Sequence, residues 1–403
     1  MNNPIRSPKT EQDAVTAVPH APSSADSRVQ NVVGDQVKGV LAQGTSDDVK
    51  TAILALHDSR SQNETGRGRD FRIERTSPEV QEFTVVRKNA EGKEIRERFT
   101  IECLDSPEHP TLPAAYGLME SVFSSEELDP LDIMQDQMRG KRYGYEMGAK
   151  ATLFAVKNEQ GEVVCTLDGG LLPLRDDNGN PTGEAVFMVF YVATNPKVRQ
   201  YGIGREIMIS AYQQAELEAK QRGLKFIGAA GECTWTSYKY WEKLGWRRVY
   251  TDAGEEQPVQ EIPYVQPPLA FDLNTGEIED GAGDAPEHFM IHLFDKNAER
   301  NPNLARKLPQ IVGAFYKTNN YIDRRAFAES ENPEAAYAKH RSAIDHHREQ
   351  FGRDLGRGQI RFLTSRDCDG LRARDRTIED WVTSDEEAEA MGKPIVRIPE
   401  GNM

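Results

Sequence analysis

Cysteine is scarce and scattered. The four thiols, Cys103, Cys165, Cys233 and Cys368, form no Cys-x-x-Cys pair, which excludes the common zinc-ribbon and thioredoxin-type motifs and fits reduced thiols in a cytoplasmic protein. No apolar stretch approaches the roughly 20 residues that span a bilayer, and the N-terminus lacks the apolar core of a secretion signal. Basic charge is also short: 50 Lys and Arg stand against 65 Asp and Glu, a net charge of −15. That excludes a domain-wide basic field, so neither nucleic acid nor membrane is an expected partner. Apolar residues make up only 37% of the 403, and the mean hydropathy is −0.67, so part of the chain is not expected to pack. Internal repeats are absent.

Residues 1–70 are rich in Ser, Asn, Gln, Asp and Gly and read as a disordered N-terminal segment, with one amphipathic helix near Val49–Leu56. From Phe71 the pattern turns to strands. Glu82–Arg87 and Glu94–Cys103 flank Asn89-Ala90-Glu91-Gly92 as a hairpin. Ala115, Leu118, Met119 and Val122 share one helical face, and Asp129-Pro130 opens a second helix bearing Leu131, Met134 and Met138. Strands at Thr152–Val156 and Val163–Leu167 follow, then a turn at Asn178-Gly179.

The stretch 186–246 organises the rest. A buried apolar run, Val186–Val192, breaks into Asn195-Pro196-Lys197-Val198 and then Arg199-Gln200-Tyr201-Gly202-Ile203-Gly204. Met208, Ala211, Tyr212, Ala215 and Ala219 then recur at helical spacing, before a second apolar run at Phe226–Gly231 and the segment Tyr238–Trp246. A strand feeding a glycine-rich turn and a helix aims backbone N–H groups and the positive helix end at one point, a geometry suited to phosphate. Glycines there let the backbone approach closely.

Strand, Arg-x-x-Gly-x-Gly, helix, strand and then Trp241-Glu242-Lys243-Leu244-Gly245-Trp246, about 40 residues on, resembles the GNAT superfamily of acetyl-CoA-dependent N-acyltransferases. The resemblance covers roughly 71–295 and is specific only across 186–246. It implies an α/β fold, a mixed sheet with helices on its faces, as a GNAT-like domain at 71–295. A mostly helical C-terminal extension at 296–403 follows, expected to dock on that domain or to make a homodimer. It further implies that N–H groups of Gln200, Tyr201, Gly202, Ile203 and Gly204 hold the pyrophosphate of acetyl-CoA, with charge added by Arg199 or Arg205. The main chain of Val192, Ala193 and Thr194 would pair with the pantetheine arm. No metal is implied. The family's tyrosine that protonates the departing thiolate aligns with Trp241, and its asparagine seven residues earlier with Thr234. Trp has no acidic proton to give, so Tyr238, one turn away on nearly the same helical face, is favoured over Tyr240 as the acid. Glu232 is the candidate to take the amine proton.

Two functions follow from the resemblance: an N-acetyltransferase acting on a primary amine, or a non-catalytic acyl-CoA-binding or interaction protein that kept the fold. A longer acyl donor is a third. Residues 253–286, acidic and rich in proline, are expected to form a loop over the acceptor side, before a last strand at Glu287–Leu293. Helices are expected at Pro309–Asn319, from Pro333 to about Phe351 and at Ile378–Met391, with a strand at Gln359–Thr364. His340 and His347 share a face but stand two turns apart, too far for one ion without other ligands.

Overall fold

The computed structural model describes Val49 and residues 71–367, except 76–80, 90, 125–126, 200, 235–236, 255–258, 269, 280–284 and 366. The expectations for the rest of 1–70, for Gln200, for Cys368 and for a helix at 378–391 lie outside the described residues.

Twelve strands form one mixed sheet. In chain order they are β1 (Phe71–Arg75), β2 (Glu82–Lys88), β3 (Glu94–Leu104), then, after a small separate hairpin β4 (Lys141–Arg142) and β5 (Tyr145–Glu146), β6 (Ala151–Asn158), β7 (Val163–Arg175), β8 (Pro181–Thr194), β9 (Lys225–Cys233), β10 (Arg247–Asp252), β11 (Gln260–Glu261), β12 (Tyr264–Gln266), β13 (Ala285–Leu293) and β14 (Gln359–Leu363). The path across the sheet is β1-β2-β3-β6-β7-β8-β9-β13-β10-β11, with β12 on β13 and β14 on β10. Among the described residues only β8 and β9 pair in parallel; a helix connects them, as a parallel crossover requires. Helices are α1 (Leu112–Glu120), α2 (Leu131–Met138), α3 (Ile203–Gln221), α4 (Tyr238–Lys243), α5 (Leu304–Asn319) and α6 (Pro333–Leu355). This is the mixed α/β architecture, and the order of elements, that the motifs imply.

Strand alternation divides the core between the two faces. On one face Phe187, Val189, Leu167 and Ala229 pack under α3 and α4 through Ile207, Met208, Tyr212 and Trp241. On the other, Leu153 and Ala155 lie under α1 and α2. Val186, Met188, Phe289 and Ile291 share that second face and meet α5 and α6 through Ile311, Phe315, Ile344 and Phe351. The apolar stripes of α5 and α6 are therefore spent on the sheet. β14 continues the same segment along the outer edge of β10, from Arg248↔Leu363 to Asp252↔Gln359.

Several boundaries differ from the sequence reading. α5 starts at Leu304 rather than at Pro309, because a proline early in a helix removes only one interior hydrogen bond and is tolerated when the buried stripe begins before it. Residues 253–286 are not one irregular loop: the described part carries β11, β12 and an isolated bridge between Phe271 and Ile278. Two-residue strands have no periodicity to detect.

Candidate functional site

The central strands come apart at one point. β8 and β9 pair from Glu184↔Lys225 to Val189↔Gly231, with a one-residue shift of register after Ala185. Beyond it β8 runs on to Thr194 against β7, while β9 runs on to Cys233 against β13. A bulge drives the parting: Gly169 opposes Val189 and Asp168 opposes Tyr191, so Phe190 is one residue too many for β7 and bends the strand. Among the described residues no strand fills the wedge. Phe190, Tyr191, Val192, Thr194, Glu232 and Thr234 are half-exposed there, on strands whose other residues are mostly buried. The Asn195 N–H donates to Val164 O on β7 at 2.9 Å, so alternation turns the main-chain groups of Val192 and Thr194 toward the wedge and those of Ala193 away. Thr194 O accepts from Arg199 Nε at 3.1 Å, which folds that guanidinium back onto the end of β8.

At the foot of the wedge the chain makes one 3-10 turn, Pro196–Val198, closed by Asn195 Oδ1 accepting from the Lys197 N–H at 3.0 Å. Gly202 then adopts φ 77°, a left-handed conformation that costs other residues, and α3 begins at Ile203. The first N–H groups of α3 point out of its end, where the dipole favours an anion. A side chain at Gly204 would obstruct that end, because its Cβ would stand 2.2 Å from the Tyr240 hydroxyl. The first turn is held rigid from the side: Glu206, fully buried, accepts from Arg75 Nε at 2.7 Å and Arg75 Nη2 at 2.6 Å. Arg75 thereby neutralises the buried Glu206 carboxylate of that first turn. Tyr201 packs beside Phe71 with Arg87 over its ring at 5.3 Å, and Arg205 lies half-buried in the same first turn.

α4 places the two tyrosines differently from their expected roles. Trp241 is buried against Trp246, ring centroids 4.7 Å apart, and so points into the core rather than into the wedge. The Tyr238 ring is held edge-on to His288 at 5.1 Å with the Arg248 guanidinium at 4.8 Å. Tyr240 reaches α3 and lays its hydroxyl over Gly204. Although 37% of Tyr240 remains exposed, its hydroxyl end is enclosed, and burial pushes its pKa up, with the Cys165 thiol acting the same way and Arg205 opposing. Thr234 donates from Oγ1 to Ser237 Oγ at 3.1 Å and so braces the residue before α4.

The opposite mouth of the wedge is acidic. Glu232 Oε1 accepts from the Tyr264 hydroxyl at 2.5 Å, and burial raises the Glu232 carboxyl well above its ordinary range. Glu287 lies on the same sheet face, two residues along β13 from Phe289, the partner of Glu232. Burial, then Glu127, pushes Glu287 up to about 8. Tyr191 donates to Glu127 O at 3.0 Å and accepts from the Asp129 N–H at 3.2 Å, tying the α1–α2 connection to β8. Tyr264, Asp168 and Glu287 are missing from the sequence-derived set, where Tyr240 stands only as the less favoured tyrosine. Only Asp168, a lone carboxylate inside the apolar run Val163–Leu174, left a local signal.

The histidines have other work. His340 Nε2 accepts from the Ile322 N–H at 2.9 Å inside the α5–α6 core, and His288 Nδ1 lies 2.6 Å from Glu261 Oε1, while Glu261 Oε2 accepts from Arg248 Nη1 at 2.8 Å. Among the described residues no group of three His, Cys, Asp or Glu is placed to hold a metal, and no helix is long and apolar enough to cross a membrane. A shallow concavity lined by Thr182, Glu184, Arg306 and Lys307 sits at the far end of β8, with its charges paired in the Lys307–Glu184 bridge at 2.9 Å.

No protein-family profile matches the chain, and no curated protein matches it. Solved structures do. A GNAT-family acetyltransferase from Staphylococcus aureus Mu50 is 13% identical over 49% of this chain and 100% of its own, with a TM-score of 0.28. A GCN5-related N-acetyltransferase from Ralstonia eutropha JMP134 is 18% identical over 40% and 97%, with a TM-score of 0.26. Arabidopsis thaliana NAA60, solved in complex with acetyl-CoA, is 8% identical over 48% and 98%, with a TM-score of 0.29.

Proposed function

We propose that this chain is an N-acetyltransferase that moves an acetyl group from acetyl-CoA to a primary amine. The observation that carries the reading is the wedge where β8 and β9 part, with a helix N-terminus at one mouth and carboxylates at the other. An anionic donor and a cationic acceptor would thus enter from opposite faces and meet at the break in the sheet. The cradle fits the donor: the left-handed turn at Gly202 opens α3, whose first N–H groups face outward for pyrophosphate, and Val192 and Thr194 offer main-chain groups to an extended amide arm.

The chemistry asks the protein for two proton transfers and a polarised carbonyl. As the C–N bond forms and the C–S bond breaks, Glu232 takes the ammonium proton; its raised pKa brings it nearer the operating pH of a base. We assign protonation of the departing thiolate to Tyr240, whose hydroxyl lies at the α3 end of the wedge, rather than to Tyr238, whose ring is held against His288 and Arg248.

One observation favours the second reading, acyl-CoA binding without turnover: Trp241 stands where the resembled superfamily carries its tyrosine. Calorimetry with acetyl-CoA, beside thiol release across a panel of primary amines, separates the two. The proposal expects micromolar binding and amine-dependent thiol release. Binding with no release over the whole panel would leave the second reading standing, and absence of binding would remove both.

A further inference from the structure

The acidic mouth contains more carboxylate than one proton transfer needs. Asp168 is 1% exposed, and its Oδ2 has no hydrogen-bond partner among the described residues. Glu287 Oε2 is likewise buried and unpaired there. An orphaned buried carboxylate is costly, because it surrenders water without a compensating donor. Desolvation raises Asp168 well above the ordinary aspartate range, and Asp129 adds to it.

These groups share a face and surround the wedge. Asp168 opposes Tyr191 across β7–β8, and Glu287 opposes Tyr264 across β12–β13, where Tyr264 donates to Glu232. The walls are within electrostatic reach of each other, since Glu127 raises Glu287 and Glu232 raises Tyr191. β7 and β9 stand two strand spacings apart, roughly 10 Å before the wedge opens. Phe190 and Tyr191 line the path between them with half-exposed aromatic surface.

We infer that the acceptor is a small linear diamine: one amine reacts beside Glu232 while the second, still an ammonium, is held by the unpartnered Oδ2 of Asp168, across the wedge from Glu287. The methylene chain lies along Phe190 and Tyr191. Gly169 N–H already serves the Asp168 carboxyl, and the ammonium supplies the counter-charge and a donor for the unpartnered Oδ2, so the ligand removes a cost already present in the fold. This inference rests on the acetyltransferase reading for the role of the first amine, but not for the binding of the second.

Calorimetry on the full chain tests it, with diaminobutane and diaminohexane set against butylamine, hexylamine and aminohexanol. The diamines should bind at least about tenfold more tightly than the monoamines and the amino alcohol, the yield of one charge-assisted contact. Asp168→Asn should bring the ratio to within about threefold, and acetyl-CoA affinity reports whether that variant is folded. Equal binding of diamine and monoamine by the unaltered protein overturns the inference, whatever the variant does. A preference for diamines that survives Asp168→Asn in a folded protein overturns it too. Tight, Asp168-dependent diamine binding without acetyl transfer would uphold the inference and instead refute the catalytic reading.

Discussion

Gly204 and Tyr240 should behave as one unit. A Cβ added at Gly204 would lie 2.2 Å from the Tyr240 hydroxyl, whereas ordinary contact begins near 3.4 Å, so the hydroxyl must retreat by about 1 Å. Backbone strain does not enter, because φ at Gly204 is negative and an alanine adopts it freely. Tyr240 is half-exposed at its base and can swing aside, so Gly204→Ala should fold with little loss of stability. If that hydroxyl delivers the proton to the thiolate, a misplacement of roughly 1 Å costs on the order of 10²-fold in kcat, or about 2.7 kcal/mol. Tyr240→Phe should cost a similar amount. The double variant should then be no worse than either single one, a coupling of about 2.7 kcal/mol where independent sites would add. The assay is kcat for thiol release at saturating amine and acetyl-CoA, so that any loss of donor affinity at the altered cradle is set apart. If the two losses add to within about 0.5 kcal/mol, the hydroxyl over Gly204 is not the group that matters. If neither change lowers kcat by tenfold, solvent protonates a thiolate that is already a fair leaving group, with a pKa near about 8.5.

Gly202→Val should weaken acetyl-CoA binding and also destabilise the fold, by about 1–2 kcal/mol from the left-handed backbone alone, because φ is 77° and its Cβ would meet Ile73 Cδ1 at 2.9 Å; calorimetry and denaturant melts read the two effects. Glu287 is held up to about 8, so the folded state keeps its proton through the range above about 4.5 where the unfolded chain has lost it, and stability falls as pH rises between those values. Glu287→Gln should therefore raise Tm above pH 8 and converge with the parent protein near pH 4.5; a gap independent of pH would refute the assignment. His292 is half-buried and depressed to about 4, first by desolvation and then by Arg247, so it opposes folding as pH drops from about 6.5 toward 4. Its ring resonance should stay that of a neutral imidazole down to about pH 5. Phe351 is 2% exposed and meets Phe289 and Tyr264 with ring centroids 5.6 and 6.0 Å away, so Phe351→Ala should cost about 3–5 kcal/mol in a urea melt. A loss under about 1 kcal/mol would mean that α6 is not part of the sheet's core.

Local rules were enough for the cradle. An apolar run, two glycines and a 3.6-residue repeat dictate strand, turn and helix within some thirty residues, and β8, Gly202 and α3 lie where that pattern puts them. The hairpin β2–β3 and the pair α1–α2 were legible for the same reason: turn residues, caps and periodicity act between near neighbours. The rest of the site depends on which strand meets which, and in what register. Phe190 is a bulge only because Gly169 and Asp168, some twenty residues earlier, oppose Val189 and Tyr191. A one-residue shift would send Asp168 and Glu232 to the opposite face. Tyr264 meets Glu232, and Asp168 and Glu287 share a face, through pairings that span up to about 120 residues, and no window of sequence records such a meeting. The tyrosines of α4 make the point most sharply. Helical spacing puts Tyr238 on the face of Trp241, but Trp241 packs into the core on Trp246, so the direction it marks is inward. Six residues of helix allow any rotation about their axis; the two indoles chose one, and it laid the Tyr240 hydroxyl over Gly204.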